Sequence, residues 1–133
     1  MKKALKTRQS APDFIRVDVA KYSVNIISGT SGDPARECNI KNSTGLIRIE
    51  GINSRDWKFS IYIYPDATTL TPAFLRPDDS VVQMNMHQWQ VECILKLLKT
   101  SDQAHALYRV DAGVVYADVH GEFKKTPAPL TDI

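Results

Sequence analysis

The chain has 133 residues, of which 43% are hydrophobic and 24% are charged, as in an ordinary globular protein rather than a disordered one. This length fits one compact domain, whose core needs neither a disulfide nor a metal to hold it. Seventeen basic and fifteen acidic side chains leave a formal net charge of +2. That balance excludes a polybasic, histone-like mode of nucleic-acid binding, but it does not exclude a local basic surface.

The charge is divided unevenly along the chain. Residues 1–66 carry eleven basic and seven acidic side chains, whereas residues 67–133 carry six and eight. A polyanion should therefore prefer the first half of the chain. We expect a basic flexible tail over residues 1–12, a single domain over residues 13–123 and a flexible tail over residues 124–133.

The cysteines and the apolar runs bear on the cellular compartment. Cys38 and Cys93 do not have the spacing of metal ligands, and we expect both to be free thiols in a reducing cytosol. Cys93 falls on the apolar side of a predicted helix, where a buried thiol is expected. The basic start of the chain is followed by no apolar run, and no apolar stretch approaches the roughly 18 residues of a membrane span. We therefore expect a soluble, cytoplasmic protein.

Alternating apolar residues predict three strands in the first half. The run from Phe14 to Ile27 alternates but changes phase after Ala20, which is typical of a long strand with a bulge. Two further strands are predicted over Gly45–Gly51 and Asp56–Tyr64, and the latter keeps a strict period of two.

The second half contains the predicted helix. Pro65 to Pro77 is an irregular connection with three prolines, and Ser80–Met86 alternates as a fourth strand. From about residue 87 to residue 100 the period becomes helical, and four apolar residues share one stripe. They are Val91, Ile94, Leu95 and Leu98.

His105–Asp111 and Val114–His120 flank an Ala-Gly pair and predict a terminal hairpin. The order of elements predicts an α+β fold, with a curved antiparallel β-sheet, one main α-helix after the fourth strand and a C-terminal β-hairpin. The same order also fits an OB-fold barrel, which stays open as an alternative.

The third predicted strand has one apolar face and one face that combines a cation with aromatic rings. The apolar face carries Trp57, Phe59, Ile61 and Ile63. Lys58, Tyr62 and Tyr64 lie on the other face, which Arg48 of the preceding strand can join. Single-stranded nucleic acid needs cations for its phosphates and rings on which its bases stack. The alternative is that both tyrosines cover the sheet beneath a helix or a loop, without any ligand.

A wider pattern extends from about residue 47 to residue 99. A strand, a short turn and a strand ending in tyrosines are followed by Arg76-Pro77, an alternating strand and Gln88-Trp89 at the start of an apolar helix. This order resembles the single-stranded-DNA-binding domain of the positive-cofactor-four transcriptional coactivators and the related Whirly proteins. One departure is Asp78-Asp79, where the family has glycine and lysine.

The resemblance implies a curved sheet that binds single strands along its face, and a dimer in which two helices pack together. It places seven residues at the nucleic-acid interface: Arg48, Arg55, Lys58, Tyr62, Tyr64, Arg76 and Trp89. It assigns the apolar stripe of the helix, Val91, Ile94, Leu95 and Leu98, to the oligomer interface.

The leading hypothesis is a non-enzymatic protein that binds single-stranded DNA, or RNA, largely without sequence preference, as a homodimer or higher homo-oligomer. It needs no cofactor, metal or membrane. A second hypothesis is an interaction or assembly factor of a phage or mobile element, which uses the apolar helix and a sheet edge. A third is a metal-dependent nuclease that uses Asp111, Asp118 and His120 of the hairpin, where His105 could join them.

Overall fold

The computed structural model describes residues 11–27, 40–52 and 56–124, except for the side chain of Lys41. These residues form seven strands and one α-helix. The elements are β1 (Phe14–Ile26), β2 (Gly45–Ile52), β3 (Lys58–Tyr64), β4 (Phe74–Arg76), β5 (Val81–His87), α1 (Val91–Thr100), β6 (Gln103–Asp111) and β7 (Val114–Glu122). Cys38, Arg55 and most of both predicted tails lie outside the described residues. In the described part, no helix combines the length and apolar character needed to cross a membrane.

The strands form one sheet in the order β4-β5-β3-β2-β1-β6-β7, which confirms the predicted α+β class and the predominance of antiparallel pairing. β3 and β5 run parallel, and the other neighbouring strands run antiparallel. The sheet curls into a half-barrel, but the order of the described strands begins at β4 and ends at β7. This arrangement differs from the five-stranded OB barrel that was the alternative.

The long first strand joins the two halves of the sheet. Residues 14–18 of β1 pair with β6, and residues 18–26 pair with β2, with a register shift between Val19 and Lys21. This confirms the predicted bulge. Gly51 of β2 lies against it, and a Cβ at that position would be 1.8 Å from the carbonyl oxygen of Asp18. Only glycine allows this approach, so the bend is built from both strands.

The core lies on one face of the sheet, beneath α1. The apolar face predicted for β3 is confirmed, because Trp57, Phe59, Ile61 and Ile63 are all buried. Ile94 of α1 is buried with them, and Val91, Leu95 and Leu98 pack against the same cluster. The sheet of the same chain therefore packs against the apolar stripe, three of whose residues stay partly exposed, and the assignment of these four residues to an oligomer interface stays a prediction. Cys93 is exposed rather than buried, so the prediction of a buried thiol is wrong.

Two turns determine where strands of the second half of the chain end: one joins β6 to β7, and the other joins β5 to α1. Ala112 and Gly113 both have positive φ, 51° and 80°, which is typical of the two-residue turn that matches the twist of a hairpin. β5 passes into a 3₁₀ turn, Gln88–Gln90, before α1 begins. The backbone N–H of His87 donates to Gln90 Oε1 at 3.0 Å, and that of Trp89 donates to Asp66 Oδ1 at 3.0 Å. These bonds fix the point at which the strand becomes a helix.

Candidate nucleic-acid interface

The face of the sheet opposite the core carries a group of cations from β1, β2, β3 and β4. We define the basic face by Lys21 of β1, Arg48 of β2, Lys58 and Tyr62 of β3, and Arg76 of β4. Strand register places them together, because Arg48 lies opposite Ser60, and Lys58 and Arg76 both lie opposite Val81. Side chains two residues apart on a strand share a face, so Lys58, Ser60 and Tyr62 point the same way. The structure thus brings together four of the seven residues that the sequence predicted.

Arg76 organises one end of the basic face. Its guanidinium donates to Asp79 Oδ2 at 2.7 Å and to Gln83 Oε1 at 3.4 Å. The Asp79 carboxylate, followed by the Tyr62 hydroxyl, raises the pKa of Arg76 above its usual value. The guanidinium therefore stays charged, and it lies near the hydroxyl of the partly exposed Tyr62.

The basic face keeps an excess of positive charge. Lys21 has a loose ion pair with Glu50, with 3.8 Å between Nζ and Oε1, and Arg76 is paired with Asp79. Within the described residues, neither Arg48 nor Lys58 forms a side-chain ion pair. These two cations are therefore available to an anionic ligand.

Tyr64 does not join the exposed face, although it points to the same side of β3 as Tyr62. Its side chain is fully buried, with an exposure of 0%. The connection before β4 lies over it, since His87 Nε2 donates to the Thr68 carbonyl at 2.8 Å and Asn85 Nδ2 donates to the Thr71 carbonyl at 3.2 Å. The predicted stacking role of Tyr64 is therefore wrong for this conformation. The alternative, a tyrosine that covers the sheet beneath a loop, describes Tyr64 but not Tyr62.

Two exposed aromatic side chains border the basic face. Trp89 has 64% of its surface exposed and lies in the turn that follows β5, at the end of the sheet where β3 also ends. Phe74 is 41% exposed and shares a face with Arg76 on β4. Phe74 is not predicted from the sequence, because its strand has only three residues and lies between Pro72 and Pro77. Arg55, the last predicted member, lies outside the described residues.

A second group of polar side chains also lies on the face opposite the core, but on β1, β6 and β7. We call it the histidine cluster: Asp18 of β1, His105 of β6, and Asp118, His120 and Glu122 of β7. Asp18 lies opposite His105, which lies opposite His120. Of the residues predicted for a metal site, Asp118, His120 and His105 belong to the cluster, whereas Asp111 pairs with Val114 at the far end of the hairpin.

Hydrogen bonds tie the histidine cluster together. His105 is almost completely buried, with Nδ1 2.9 Å from Asp18 Oδ1 and Nε2 3.2 Å from Glu122 Oε2. Arg16 Nε donates to Asp18 Oδ1 at 3.0 Å. The hydrogen bond from His105, followed by that from Arg16, lowers the pKa of Asp18. Glu122 could have been found from the Asp-x-His-x-Glu spacing, whereas Asp18 depends on the pairing of β1 with β6, for which the sequence has no local signal.

Comparisons with protein-family models, with curated proteins and with solved structures found no match to this chain. The resemblance to the positive-cofactor-four and Whirly domains therefore stays a prediction from the order of residues in the sequence. The basic face and the histidine cluster are the two features of the described structure that bear on function.

Proposed function

We propose that this chain binds single-stranded nucleic acid, with DNA as the first candidate, along the basic face and without catalysing a reaction on it. One observation carries the proposal: Arg48 of β2, Lys58 of β3 and Arg76 of β4 lie on one face of the sheet together with the partly exposed ring of Tyr62, and only β5 separates β3 from β4. Cations that follow a phosphate backbone, combined with rings that stack on bases, are the usual means of binding single strands without reading their sequence.

The charged side chains of the basic face can make a small number of contacts with phosphates. Four cations, Lys21, Arg48, Lys58 and Arg76, face two nearby carboxylates, Glu50 and Asp79. Arg48 and Lys58 contribute most, since a phosphate does not have to displace a carboxylate from them. Exposed ion pairs are weak, so the Lys21 ammonium can exchange Glu50 for a phosphate at little cost.

The rings supply the second part of the binding. Tyr62 is partly exposed on the basic face near Arg76, so a base can stack on its ring while the guanidinium contacts the adjoining phosphate. Phe74 and Trp89 are exposed at the border of the face and extend the surface on which further bases can stack. Stacking contributes about 1–3 kcal/mol per base, which is comparable to the electrostatic part of a weak complex.

Fluorescence anisotropy with a labelled oligothymidylate, measured at several salt concentrations, tests the proposal. Four phosphate contacts predict a slope of log affinity against log salt of about −2.8, so that a fourfold rise in salt weakens binding about fifty-fold. Undetectable binding by a folded sample at about 50 mM salt would contradict the proposal.

A matched pair of double variants locates the site. Arg48→Gln with Lys58→Gln should reduce the slope by about 1.4, because two phosphate contacts are lost. Lys96→Gln with Lys99→Gln removes the same charge from the exposed side of α1 and should leave the slope unchanged. Equal effects of the two double variants would mean that net charge, and not the basic face, governs binding.

A second candidate function is assembly of this chain with another copy of itself through the free edge of β1. β6 pairs only with residues 14–18, and within the described ranges no strand pairs with that edge beyond them. Tyr22, Val24 and Ile26 are exposed along this segment. An antiparallel pairing of two such edges centred on Val24 places Tyr22 opposite Ile26 of the second copy, so apolar side chains meet apolar side chains.

Light scattering coupled to gel filtration tests this assembly. Val24→Lys places a charge on the edge and should convert a dimer to a monomer. Val114→Lys, on the exposed start of β7, is the matched control and should leave the dimer intact. A wild-type protein that is monomeric at every concentration measured would contradict the assembly.

A further inference from the structure

The histidine cluster has the features of a site for a positive ion. Three adjacent strands contribute to it: Asp18 lies opposite His105 and His105 lies opposite His120. Asp118 and Glu122 flank His120 at the positions two residues before and after it, so they share its face of β7. Five potential ligands or supporting groups therefore converge on one place of the sheet.

The two imidazoles are held in the way that metal-binding histidines usually are. His105 Nδ1 lies 2.9 Å from Asp18 Oδ1, and His120 Nδ1 lies 3.0 Å from Asp118 Oδ1. A histidine that binds a metal almost always donates its other ring N–H to a carboxylate or a carbonyl. Binding of an ion through Nε2 requires each Nδ1 to carry the hydrogen. A terminal nitrogen of Arg16, which lies 2.8 Å from His105 Nδ1 and 3.3 Å from His105 Nε2, then has to turn away from the ring.

Glu122 supplies the third ligand. Its Oε2 lies 3.2 Å from His105 Nε2, and one ligand atom from each of His105, His120 and Glu122 lies within 4.8 Å of the other two. Tetrahedral bonds of about 2.1 Å place ligand atoms about 3.4 Å apart, so a small rotation of side chains closes the site. The Glu122 side chain is 68% exposed and is therefore free to make this rotation.

The charge of the cluster also fits a divalent cation. With neutral imidazoles, the carboxylates of Asp18, Asp118 and Glu122 carry three negative charges. Arg16 adds one positive charge: its Nε donates to Asp18 at 3.0 Å, and one of its terminal nitrogens lies 2.8 Å from His105 Nδ1. The remaining two negative charges are balanced by one divalent ion. Two protons on the imidazoles would balance them as well, so the experiment has to distinguish a metal from protonation.

We propose that His105, His120 and Glu122 bind a divalent transition-metal ion, with Zn²⁺ as the expected ion and Asp18 and Asp118 as positioning residues. Two imidazoles and one carboxylate suit zinc, and three protein ligands leave a coordination position for water. Among the described residues, no further group of this kind offers three ligand atoms so close together. The proposal is independent of nucleic-acid binding on the basic face.

Titration of the chelator-treated full chain with Co²⁺, followed by displacement with Zn²⁺, tests the proposal. We expect one ion per chain and visible d–d absorption of a low-coordinate site, without the near-ultraviolet band of a thiolate ligand. Calorimetry with Zn²⁺ gives the affinity. His105 is buried and its variants can fail to fold, so the test uses the more exposed residues of the cluster.

His120→Gln and Glu122→Gln should each weaken Zn²⁺ binding at least tenfold, and Asp118→Asn should weaken it about 10–100-fold through the lost hydrogen bond to His120. Glu92→Gln, on the exposed side of α1, and Cys93→Ser, which removes the exposed thiol, should leave it unchanged. The proposal is overturned if a folded wild-type sample binds no stoichiometric ion. Binding that survives His120→Gln but is lost in Cys93→Ser overturns it too.

Discussion

Tyr62 and Tyr64 lie two residues apart on the same side of β3, and the structure predicts opposite consequences for their substitution. The ring of Tyr62 is partly exposed on the basic face, whereas that of Tyr64 is fully buried beneath the connection that precedes β4. Tyr62→Ala should therefore weaken nucleic-acid binding with little loss of stability. Tyr64→Ala should destabilise the fold and leave the affinity of the folded protein unchanged.

The expected sizes follow from the two environments. A stacked base contributes about 1–3 kcal/mol, so Tyr62→Ala should raise Kd about 5- to 150-fold. A large buried ring costs about 3–5 kcal/mol when it is truncated to alanine. For a chain of this size, that cost lowers Tm by roughly 10–20 °C.

Anisotropy titration below the Tm of both variants and thermal unfolding followed by circular dichroism measure the two effects. Tyr116→Ala is the matched control, because this exposed tyrosine lies on β7, away from the basic face, and it should leave binding unchanged. The reasoning is refuted if Tyr64→Ala weakens binding in fully folded protein, or if Tyr62→Ala lowers Tm as much as Tyr64→Ala does.

Three further predictions concern stability. Gly51→Ala should cost at least about 1–3 kcal/mol in urea unfolding, because its Cβ would lie 1.8 Å from a backbone oxygen at the bulge; an unchanged midpoint would contradict the close approach. Ile61→Ala, at a site with 0% exposure, should cost about 2–5 kcal/mol, whereas Ile52→Ala, which is exposed, should stay within about 0.5 kcal/mol. His105 and Arg16 lower the pKa of Asp18 in the folded protein. The ionised carboxylate therefore stabilises the fold at pH values above the unfolded-state pKa of about 3.9. This stabilisation is lost as the pH falls through the lower pKa of the folded state. Unfolding measured from pH 7 to pH 2 in the presence of a chelator should therefore show a stability gap between wild type and Asp18→Asn that closes below about pH 4; a gap that is constant with pH would argue against this ion pair.

The strands were predictable because a half-buried strand alternates with a period of two. The change of phase after Ala20 located the bulge of β1, and the Ala-Gly pair located the turn between β6 and β7. Both are local signals, since they depend on residues next to one another in the chain.

The pairing of the strands was harder to predict from the sequence. β5 runs parallel to β3, and β4, with three residues, forms the end of the described sheet. Parallel pairing is set by the path of the intervening connection and has no local pattern. Because β4 was not predicted, the position of Phe74 beside Arg76 was missed.

The candidate site shows the same division between local and long-range information. Alternation on β3 correctly placed Lys58 and Tyr62 on the face opposite the core. It could not show that the connection folds back over Tyr64, because that depends on bonds from Asn85 and His87 to residues 14 and 19 positions earlier. The apolar stripe of α1 was recognised, but periodicity does not tell whether a sheet or a second subunit covers it.

The most direct test of the central claim is an NMR titration of the ¹⁵N-labelled protein with an oligothymidylate at low salt. The proposed function predicts that the backbone amide signals of Arg48, Lys58 and Tyr62 shift together with a single affinity, while those of Lys96 and Lys99 on α1 stay in place. Shifts confined to α1 or to the histidine cluster, or no shifts in a folded sample, would contradict binding on the basic face.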